Sequence, residues 1–441
     1  MSKTPSMILS ASLMHGTGMH MGSWRARDGA ISDYLRADMY LDIARKAEAG
    51  KLHALFLADG MTNAEAGTDR PAGSLDPLTV LSVMAGATSR IGLVGTATTT
   101  YNHPYDVARR FATLDHLSGG RAAWNSVATF LPPVAALFGD KNLPDHSKRY
   151  ARADEFISVV QQLWDSWESD ALIGDKTANV FAAKDKVHPI DHVGQHFSVR
   201  GTLPFPRPPQ GRPVIFQAGS SPEGRDQAAK FADVVFTAQH LMDDAIEFRT
   251  DMRARAKAYG REVKILPGIL AIMGATDAQA QARRQLLDEA LGLGPELLKL
   301  SRRVGVAVDA LELDKPFPVH LLCPDEEFTG SSGFRRTLVN LAVKENLTVR
   351  ELIGRYGGGH QQIVGTPQMV ADIIQRWLEA GAADGFNIMV DMLPSGIDDV
   401  VDLLVPELQR RGLFHMDYED TTLRGNLGLA VPAVARVAEP A

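Results

Sequence analysis

The segment PVIFQAGSSPEGRDQAAKFADV (213–234) indicates how the chain folds. Its β-branched and aromatic run ends in a Gly-Ser-Ser turn, and Pro222 then opens an amphipathic helix. A strand, a tight turn and a helix in this order form one unit of an α/β fold. The first amides of the helix lack intrahelical partners and carry the positive end of the helix dipole. With the hydroxyl groups of Ser220 and Ser221, the turn predicts a phosphate pocket, although either serine would also serve as a simple helix cap.

Short apolar strands alternate with helical patterns along the rest of the chain. The alternation predicts eight strands, at 6–13, 53–58, 91–97, 121–128, 213–218, 233–237, 264–273 and 385–391. Helical periodicity predicts helices at 34–50, 76–89, 104–118, 150–168, 222–231, 241–259, 276–291, 367–381 and 397–411. Eight strands, each followed by a helix, predict an α/β fold of the parallel (β/α)8 TIM-barrel type.

The length of the chain fits one such barrel with insertions. The chain has 441 residues, and we expect a single domain over 1–441. Two stretches, 170–212 and 292–362, interrupt the alternation, and the second ends in the three glycines of 357–359. Long insertions in a compact domain are usually functional, and glycines favour mobility. We therefore expect 292–362 to act as a lid.

Composition and charge exclude several classes of protein. The formal net charge is −7, which favours neither a nucleic-acid nor an anionic-membrane partner. No apolar run reaches the length of a membrane span, and the first residues do not resemble a secretion signal, so we expect a cytoplasmic protein. The single Cys323 excludes an intrachain disulfide and a cysteine-based metal site.

The predicted strand ends carry hydroxyl and amide groups but few charges. The side chains expected there are Asp59, Thr96, Thr98, Asn125, Thr129, Ser220, Ser221 and Asp391. No HExxH, CxxC or GxSxG pattern occurs and no lysine stands at a strand end, so we expect no metal site, no serine nucleophile and no Schiff base. What remains suits a neutral, extended, hydrogen-bonding ligand with one phosphate, and flavin mononucleotide (FMN) has that description.

The chain resembles the bacterial-luciferase-like flavin monooxygenases over nearly its whole length. Within that family it is similar to the branch that contains nitrilotriacetate monooxygenase component A, dibenzothiophene-sulfone monooxygenase and long-chain alkane monooxygenase. The segments that carry the resemblance are HALFLAD (53–59), TTTYNHPYDVARRFATLDHLSGGRAAWNSVAT (98–129), RYARADEFISVVQQLWDSW (149–167), VHPIDHVGQHFSVRG (187–201), FQAGSSPEGRDQAAKFAD (216–233) and the stretch from IVGTPQMVAD through DGFNIM to VPELQRRGLF (363–414).

The resemblance implies a role for each candidate cofactor-binding residue. Asp59 would lie against the isoalloxazine ring, and Ser220 and Ser221 would hold the phosphate. The residues implied at the ring, the ribityl chain or its phosphate end are Thr96, Thr98, Asn125, Thr129, His146 and Tyr150.

The substrate end matches the family less closely. In the first loop, MHGTGMHMGSWR (14–25), Met14 stands near the position where the alkane enzyme has a cysteine, so we do not expect a long alkane as substrate. His15 and His20 are candidates for substrate or hydroperoxide contact. An anionic substrate would instead need basic residues, for which Arg25, Arg27 and Arg70 are candidates.

The resemblance implies a two-component monooxygenase. A separate NAD(P)H:flavin reductase would supply reduced FMN, since no GxGxxG pattern follows a strand here. Oxygen would add at flavin C4a, and the hydroperoxide would oxidise a C–N, C–S or C–H centre of a small organic substrate. The family also implies a homo-oligomer, either a dimer or a tetramer.

Three other functions stay open at this point. The same barrel would also serve a deazaflavin-dependent oxidoreductase. The phosphate pocket would suit a phosphosugar isomerase or lyase, which needs a strand-end base such as Asp59 or Asp391. A flavin-binding protein without catalytic activity is the third.

Overall fold

The chain folds into a closed parallel barrel. The computed structural model describes residues 7–14, 16–62, 73–219, 221–328, 330, 332–357 and 359–434. The strands, numbered in chain order, are β1 (Ile8–Ser12), β2 (Ala54–Leu57), β3 (Gly92–Thr98), β4 (Ala122–Val127), β5 (Leu172–Asp175), β6 (Val180–Ala182), β7 (Ile190–Val193), β8 (Ser198–Gly201), β9 (Val214–Ala218), β10 (Val234–Thr237), β11 (Lys264–Met273), β12 (Tyr356–Gly357), β13 (His360–Gly365) and β14 (Gly385–Val390).

Helices follow the barrel strands and fill the second insertion. They are α1 (Ser23–Ala26), α2 (Ala37–Ala49), α3 (Pro77–Ala85), α4 (Pro104–Ser118), α5 (Pro133–Leu137), α6 (His146–Trp164), α7 (Pro222–Phe231), α8 (Met242–Ala258), α9 (Asp277–Leu291), α10 (Leu293–Val304), α11 (Ser332–Lys344), α12 (Val349–Arg355), α13 (Pro367–Glu379), α14 (Ser395–Asp399), α15 (Val405–Arg410) and α16 (Leu423–Asn426). A π-helical turn (Val400–Leu404) joins α14 to α15, and short 3₁₀ turns lie at Ile31–Leu35, Lys184–Lys186, Val308–Ala310 and Val319–Leu321.

Eight of the strands close the ring in the order β1-β2-β3-β4-β9-β10-β11-β14, and each pairs in parallel with both neighbours. Each of the eight begins and ends within two residues of its predicted bounds. The prediction of a (β/α)8 barrel is therefore confirmed. Helix ends follow the expected local rules, since α4 begins with Pro104 and ends before Gly119, whose φ is +68°.

Side chains alternate between the two faces of each barrel strand. On β2, Leu55 and Leu57 pack outward against the helix layer, whereas Phe56 points into the barrel. The amino-terminal half of the interior is filled by apolar side chains and is closed below by Leu423 of α16 and by Leu427, the residue after that helix. The interior is thus a packed core at that end, and polar groups gather only toward the carboxyl ends of the strands.

The two insertions have different structures. Residues 170–212 carry two antiparallel hairpins, β5–β6 and β7–β8. The second insertion is mainly helical and has an apolar core of its own, in which α10, α11 and α12 pack through Leu300, Leu338 and Leu352. A cluster of this kind gives the insertion internal stability and allows it to act as one body.

One barrel-associated strand was not predicted. The strand β12 (Tyr356–Gly357) pairs antiparallel with β13, and the expected mobility of the glycine segment 357–359 stays a prediction. The strand β13 pairs in parallel with Ile269–Met273, the second half of β11. The strand β13 was not predicted because its sequence, HQQIVG, has little apolar alternation. Its strand conformation depends on pairing with a distant segment.

Among the residues that the structure describes, no helix has both the length and the apolar character needed to span a lipid bilayer.

Candidate active site

The predicted phosphate turn lies at the carboxyl end of β9. The side chain of Ser221 caps α7, and its Oγ accepts a hydrogen bond from the amide of Gly224 at 3.1 Å. Ser221 therefore has the helix-capping role that the sequence analysis named as an alternative. Because its oxygen accepts this hydrogen bond, its hydroxyl proton stays available to a ligand. Gly219 and Gly224 approach closely, since a Cβ on Gly219 would stand 3.2 Å from Cα of Gly224. Ser220 lies outside the described residues.

The first turn of α6 faces the first turn of α7. A Cβ on Gly224 would stand 3.1 Å from the Tyr150 hydroxyl and 3.2 Å from Oγ of Ser221. The rings of His146 and Tyr150, one helical turn apart, have centroids 4.8 Å apart, and His146 Nδ1 lies 3.9 Å from the Glu223 carboxylate. The structure thus brings His146, Tyr150 and Ser221 together around Gly224. Any side chain at residue 224 would crowd the Tyr150 and Ser221 hydroxyl groups.

A network of threonines joins the ends of β3 and β4. The hydroxyl oxygens of Thr98 and Thr129 lie 2.7 Å apart. The amide of Thr100 donates to Thr98 Oγ1 at 3.0 Å, and the amide of Thr129 donates to Thr100 Oγ1 at 3.0 Å. All three side chains are buried, so the network fixes this rim of the barrel while its hydroxyl groups remain polar.

Arg149 connects the threonine network to the phosphate turn. It lies on α6 beside Tyr150, and its guanidinium donates to the carbonyl oxygen of Thr129. Burial lowers the pKa of Arg149, but the group remains cationic at neutral pH. Its Nε is buried and has no hydrogen-bond partner among the described residues. One turn of α6 therefore presents a positive charge and a hydroxyl group along the same rim.

Amide side chains line the barrel interior below this rim. Asn125 Nδ2 donates to Thr96 Oγ1 at 2.9 Å, and Ser10 Oγ donates to Asn387 Oδ1 at 3.0 Å. Three buried polar atoms in this region, Asn125 Oδ1, Asn387 Nδ2 and Ser12 Oγ, have no partner among the described residues. Because buried polar groups in proteins are normally satisfied, these atoms indicate that a ligand completes the site.

Asp59 stands at the end of β2, as predicted from its position after HALFLA. Burial, together with the nearby carboxylate of Asp76, raises the pKa of Asp59 to about 6. Asp391, the other candidate base, accepts two hydrogen bonds from Arg283, at 2.5 and 2.9 Å. Asp391 Oδ1 also accepts a hydrogen bond from the amide of Met392 at 2.7 Å, so both carboxylate oxygens are engaged by the protein, which weakens the isomerase or lyase interpretation.

The candidate catalytic histidines occupy the first loop. His20 is buried, its Nδ1 accepts from the amide of Gly22 at 3.1 Å, and its Nε2 lies 3.3 Å from Asp288 on α9. Both ring nitrogens therefore engage protein groups, and contact with substrate stays a prediction. His15 lies outside the described residues, and so does Arg70, one of the basic candidates for an anionic substrate.

The other half of the mouth is apolar and rich in methionine. Met19, Met389 and Met392 pack with Leu270, and Phe236 lies against this cluster. Methionine is flexible and polarisable, so such a wall adapts to the shape of an organic ligand. No group of three or more metal-ligating side chains occurs in the part of the chain that the structure describes.

An aromatic column runs from the barrel interior to the second insertion. Its members, in order, are Phe216, Phe56, Phe236, His360 and Phe334, with successive ring centroids 6.1, 5.7, 5.1 and 5.9 Å apart. His360 is buried, and its Nδ1 has no hydrogen-bond partner within the described residues. The column places an imidazole where the barrel meets the insertion.

Sequence reasoning missed two parts of this site. Arg149 stands beside Tyr150 in the segment RYARADEF. Because the helix was predicted to begin at residue 150, Arg149 was not assigned to its first turn. His360 would have been found only by recognising β13, because its inward orientation follows from that strand.

The fold and the site define the class of protein. A parallel barrel with its polar residues at the carboxyl ends of the strands, and with buried amides that lack partners among the described residues, is the arrangement of a TIM-barrel enzyme. Residues 19–384 match the model of the luciferase-like monooxygenase family, and the chain belongs to that family. It is therefore an enzyme, and the expected resemblance is confirmed.

Individual relatives match over almost the whole chain. The chain is 43% identical to nitrilotriacetate monooxygenase component A from Aminobacter aminovorans, with 94% of this chain and 95% of the relative covered. It is also 43% identical to N-acetyl-S-(2-succino)cysteine monooxygenase from Bacillus subtilis, with 95% of each covered. Among solved structures, riboflavin lyase with modified FMN and riboflavin is 29% identical, has a TM-score of 0.81 and covers 97% of this chain and 96% of its own.

Proposed function

We propose that this protein is the oxygenase component of a two-component system, which uses reduced FMN and O2 to oxidise a small organic substrate at a C–N, C–S or C–H centre. The observation that carries the proposal is the placement of α6. Its first turn faces the α7 terminus through Tyr150 and contacts the end of β4 through Arg149. The helix α6 thus joins the predicted phosphate turn to the polar rim of the barrel.

The phosphate end fits FMN without a buried lysine. The Ser221 hydroxyl and the Tyr150 hydroxyl lie together beside Gly224, in the first turn of α7. Each hydrogen bond to a charged phosphate contributes about 1.5–3 kcal/mol. His146, protonated or neutral, would add a donor at the half-exposed edge of the cradle.

The ring end fits an isoalloxazine, which offers both donors and acceptors along one edge. Asn125 Oδ1 would accept, Asn387 Nδ2 would donate and Ser12 Oγ would do either, and all three now lack partners among the described residues. Thr96, Thr98 and Thr129 would line the path between ring and phosphate. Asp59, with its raised pKa, would stay partly protonated near pH 6 and would donate or accept at the ring.

The bound reduced flavin supplies the oxygen chemistry, and the chain supplies orientation and exclusion of water. The helical insertion would cover the mouth, because its core is independent of the barrel and would move as a unit. A separate flavin reductase would deliver the reduced cofactor. The relative from Aminobacter aminovorans is named as component A, which supports a partner protein of this kind.

The test combines the purified protein with a generic flavin reductase, NADH, FMN and a panel of nitrogen- and sulfur-containing substrates under labelled ¹⁸O2. We expect a product that carries one labelled oxygen atom and forms only when FMN is present. Turnover with a reduced deazaflavin but not with reduced FMN would replace the proposal by the deazaflavin alternative. Binding of reduced FMN without turnover of any substrate would favour the non-catalytic alternative.

A further inference from the structure

The helices α6 and α7 contact each other in two layers that lie about one helical turn apart. In the first layer the Tyr150 hydroxyl lies over Gly224, where a Cβ would stand 3.1 Å away. In the second layer Asp154, four residues after Tyr150, meets Gln227, three residues after Gly224. Residues three or four apart share one face of a helix, so both layers belong to the same two faces. The second layer therefore constrains how α6 and α7 approach each other in the first.

The side-chain amide of Gln227 bridges three elements of the fold. Its Nε2 donates to Asp154 Oδ1 at 2.6 Å and to the main-chain carbonyl oxygen of Tyr150 at 3.4 Å, both on α6. Its Oε1 accepts from Nε2 of Gln217, on β9, at 3.0 Å. The side chain is buried, and each of its two polar atoms is engaged. An amide held in this way fixes its partners in one arrangement, because breaking any of these bonds leaves a buried polar group unpaired.

The neighbouring ion pairs between α6 and α7 are more exposed than this bridge. Lys230 Nζ lies 3.3 Å from Asp154 Oδ2, and the two side chains are 43% and 37% exposed. The pair of His146 and Glu223, 3.9 Å apart, is half-exposed. Exposed ion pairs contribute little and are screened by salt. The buried amide of Gln227 is therefore the contact best placed to set the spacing of the two helices at Tyr150.

We propose that Gln227 is a positioning residue for the cofactor, which anchors the main chain of Tyr150 to α7 and so sets the place of the Tyr150 hydroxyl at the phosphate turn. This inference rests on the proposed function, which assigns that hydroxyl to the phosphate of FMN. It adds a residue that acts through Tyr150, since its own amide is directed to α6 and β9. A donor that is already held in place binds its ligand without a further cost of ordering.

The test is an anaerobic titration of reduced FMN into the flavin-free variants, with thermal unfolding measured in parallel. Tyr150→Phe should weaken binding about ten- to hundredfold, because a hydrogen bond to a charged group is lost. Gln227→Met has a similar size but makes no amide hydrogen bonds, and it should weaken binding at least about threefold. In the Tyr150→Phe background, Gln227→Met should have no further effect, because the hydroxyl that it positions is already absent. A residue needed only for folding would instead lower the affinity equally in both backgrounds.

Lys230→Met is the matched control, because it removes the other contact of Asp154 on the same helix and leaves the amide bridge in place. Should Gln227→Met fail to fold, Asp154→Ala removes the bridge from the α6 side. Asp154→Asn keeps the oxygen that accepts from Gln227 and should restore most of the affinity lost in Asp154→Ala.

The inference is overturned by wild-type affinity in the folded variants that lack the bridge, by an equal loss in Lys230→Met, or by a loss that persists in the Tyr150→Phe background. Weakened binding in Tyr150→Phe with no effect of Gln227→Met would overturn only this inference. Wild-type affinity in Tyr150→Phe would overturn the phosphate contact in the proposed function, and this inference with it.

Discussion

Substitution of Gly224 by alanine separates a cofactor role for the phosphate turn from a purely structural one. The added Cβ would stand 3.1 Å from the Tyr150 hydroxyl, 3.2 Å from Ser221 Oγ and 3.3 Å from Cα of Gly219. Each distance is tight but relieved by a shift of a few tenths of an ångström. Since residue 224 lies in the first turn of α7, the change also gains about 0.5–1 kcal/mol of helix propensity.

These opposing effects predict a folded protein with little change in stability and a clear loss of cofactor affinity. The methyl group would press on the Tyr150 and Ser221 hydroxyl groups, which the proposal assigns to the phosphate, and would displace them from their present positions. Loss of one charge-assisted hydrogen bond costs about 1.5–3 kcal/mol, which weakens binding about ten- to hundredfold. Gly294→Ala is the matched control, because Gly294 lies in the first turn of α10 with no atom within 4 Å of the new Cβ.

The assay is an anaerobic titration of reduced FMN, with thermal unfolding of the flavin-free proteins measured in parallel. We expect both variants to unfold near the wild-type temperature and only Gly224→Ala to bind FMN weakly. Wild-type affinity in Gly224→Ala would show that the phosphate lies elsewhere. A large fall in the unfolding temperature would show that the position matters for folding instead.

Three further predictions concern stability and its dependence on pH. The folded-state pKa of Asp59 is about 6, above the usual 3.8, so its protonation stabilises the fold at low pH and that contribution is lost as the pH rises through 6. In urea unfolding, Asp59→Asn should therefore make the free energy of unfolding depend less on pH between pH 4 and pH 6 than it does in wild type. Thr98→Val leaves the buried Thr129 hydroxyl without its partner and should cost about 1–3 kcal/mol in chemical denaturation. Asp391→Asn breaks a buried pair and should cost about 3 kcal/mol, whereas Asp402→Asn, in an exposed pair, should cost less than about 1 kcal/mol in the same assay.

The barrel was predictable because each barrel strand has a local sequence pattern that identifies it. Runs such as HALFLA and VIFQA are apolar on both faces, as strands buried under helices must be, and proline and glycine mark the helix ends. The strand β13 lacks that signature. Gln361 and Gln362 give it no apolar pattern, and its place depends on pairing with β11 more than eighty residues earlier in the chain. Local rules do not contain such a pairing.

The candidate site was predictable in part for the same reason. Thr98, Thr129 and Ser221 end or follow recognisable strands, so their placement on one rim follows from the barrel itself. The function of Arg149 depends on which face of α6 packs against β4. A periodic sequence pattern identifies that face only when the first residue of the helix is known. The structure begins α6 at His146, four residues before the predicted start, and this shift places Arg149 in the first turn and Tyr150 at the start of the second.

The two halves of the mouth are built by different parts of the chain, and this has a consequence for specificity. The half assigned to FMN consists of strand ends whose register is fixed by hydrogen bonds around the ring, for instance Thr96 opposite Asn125. The opposite half is covered by α10 of the second insertion, which has its own apolar core. Because that core does not include barrel strands, we expect substitutions on the exposed face of α10 to leave the strand register unchanged. Variation in the insertion is therefore separable from cofactor binding, and we expect Arg302→Gln, on that exposed face, to leave the affinity for reduced FMN unchanged in the anaerobic titration.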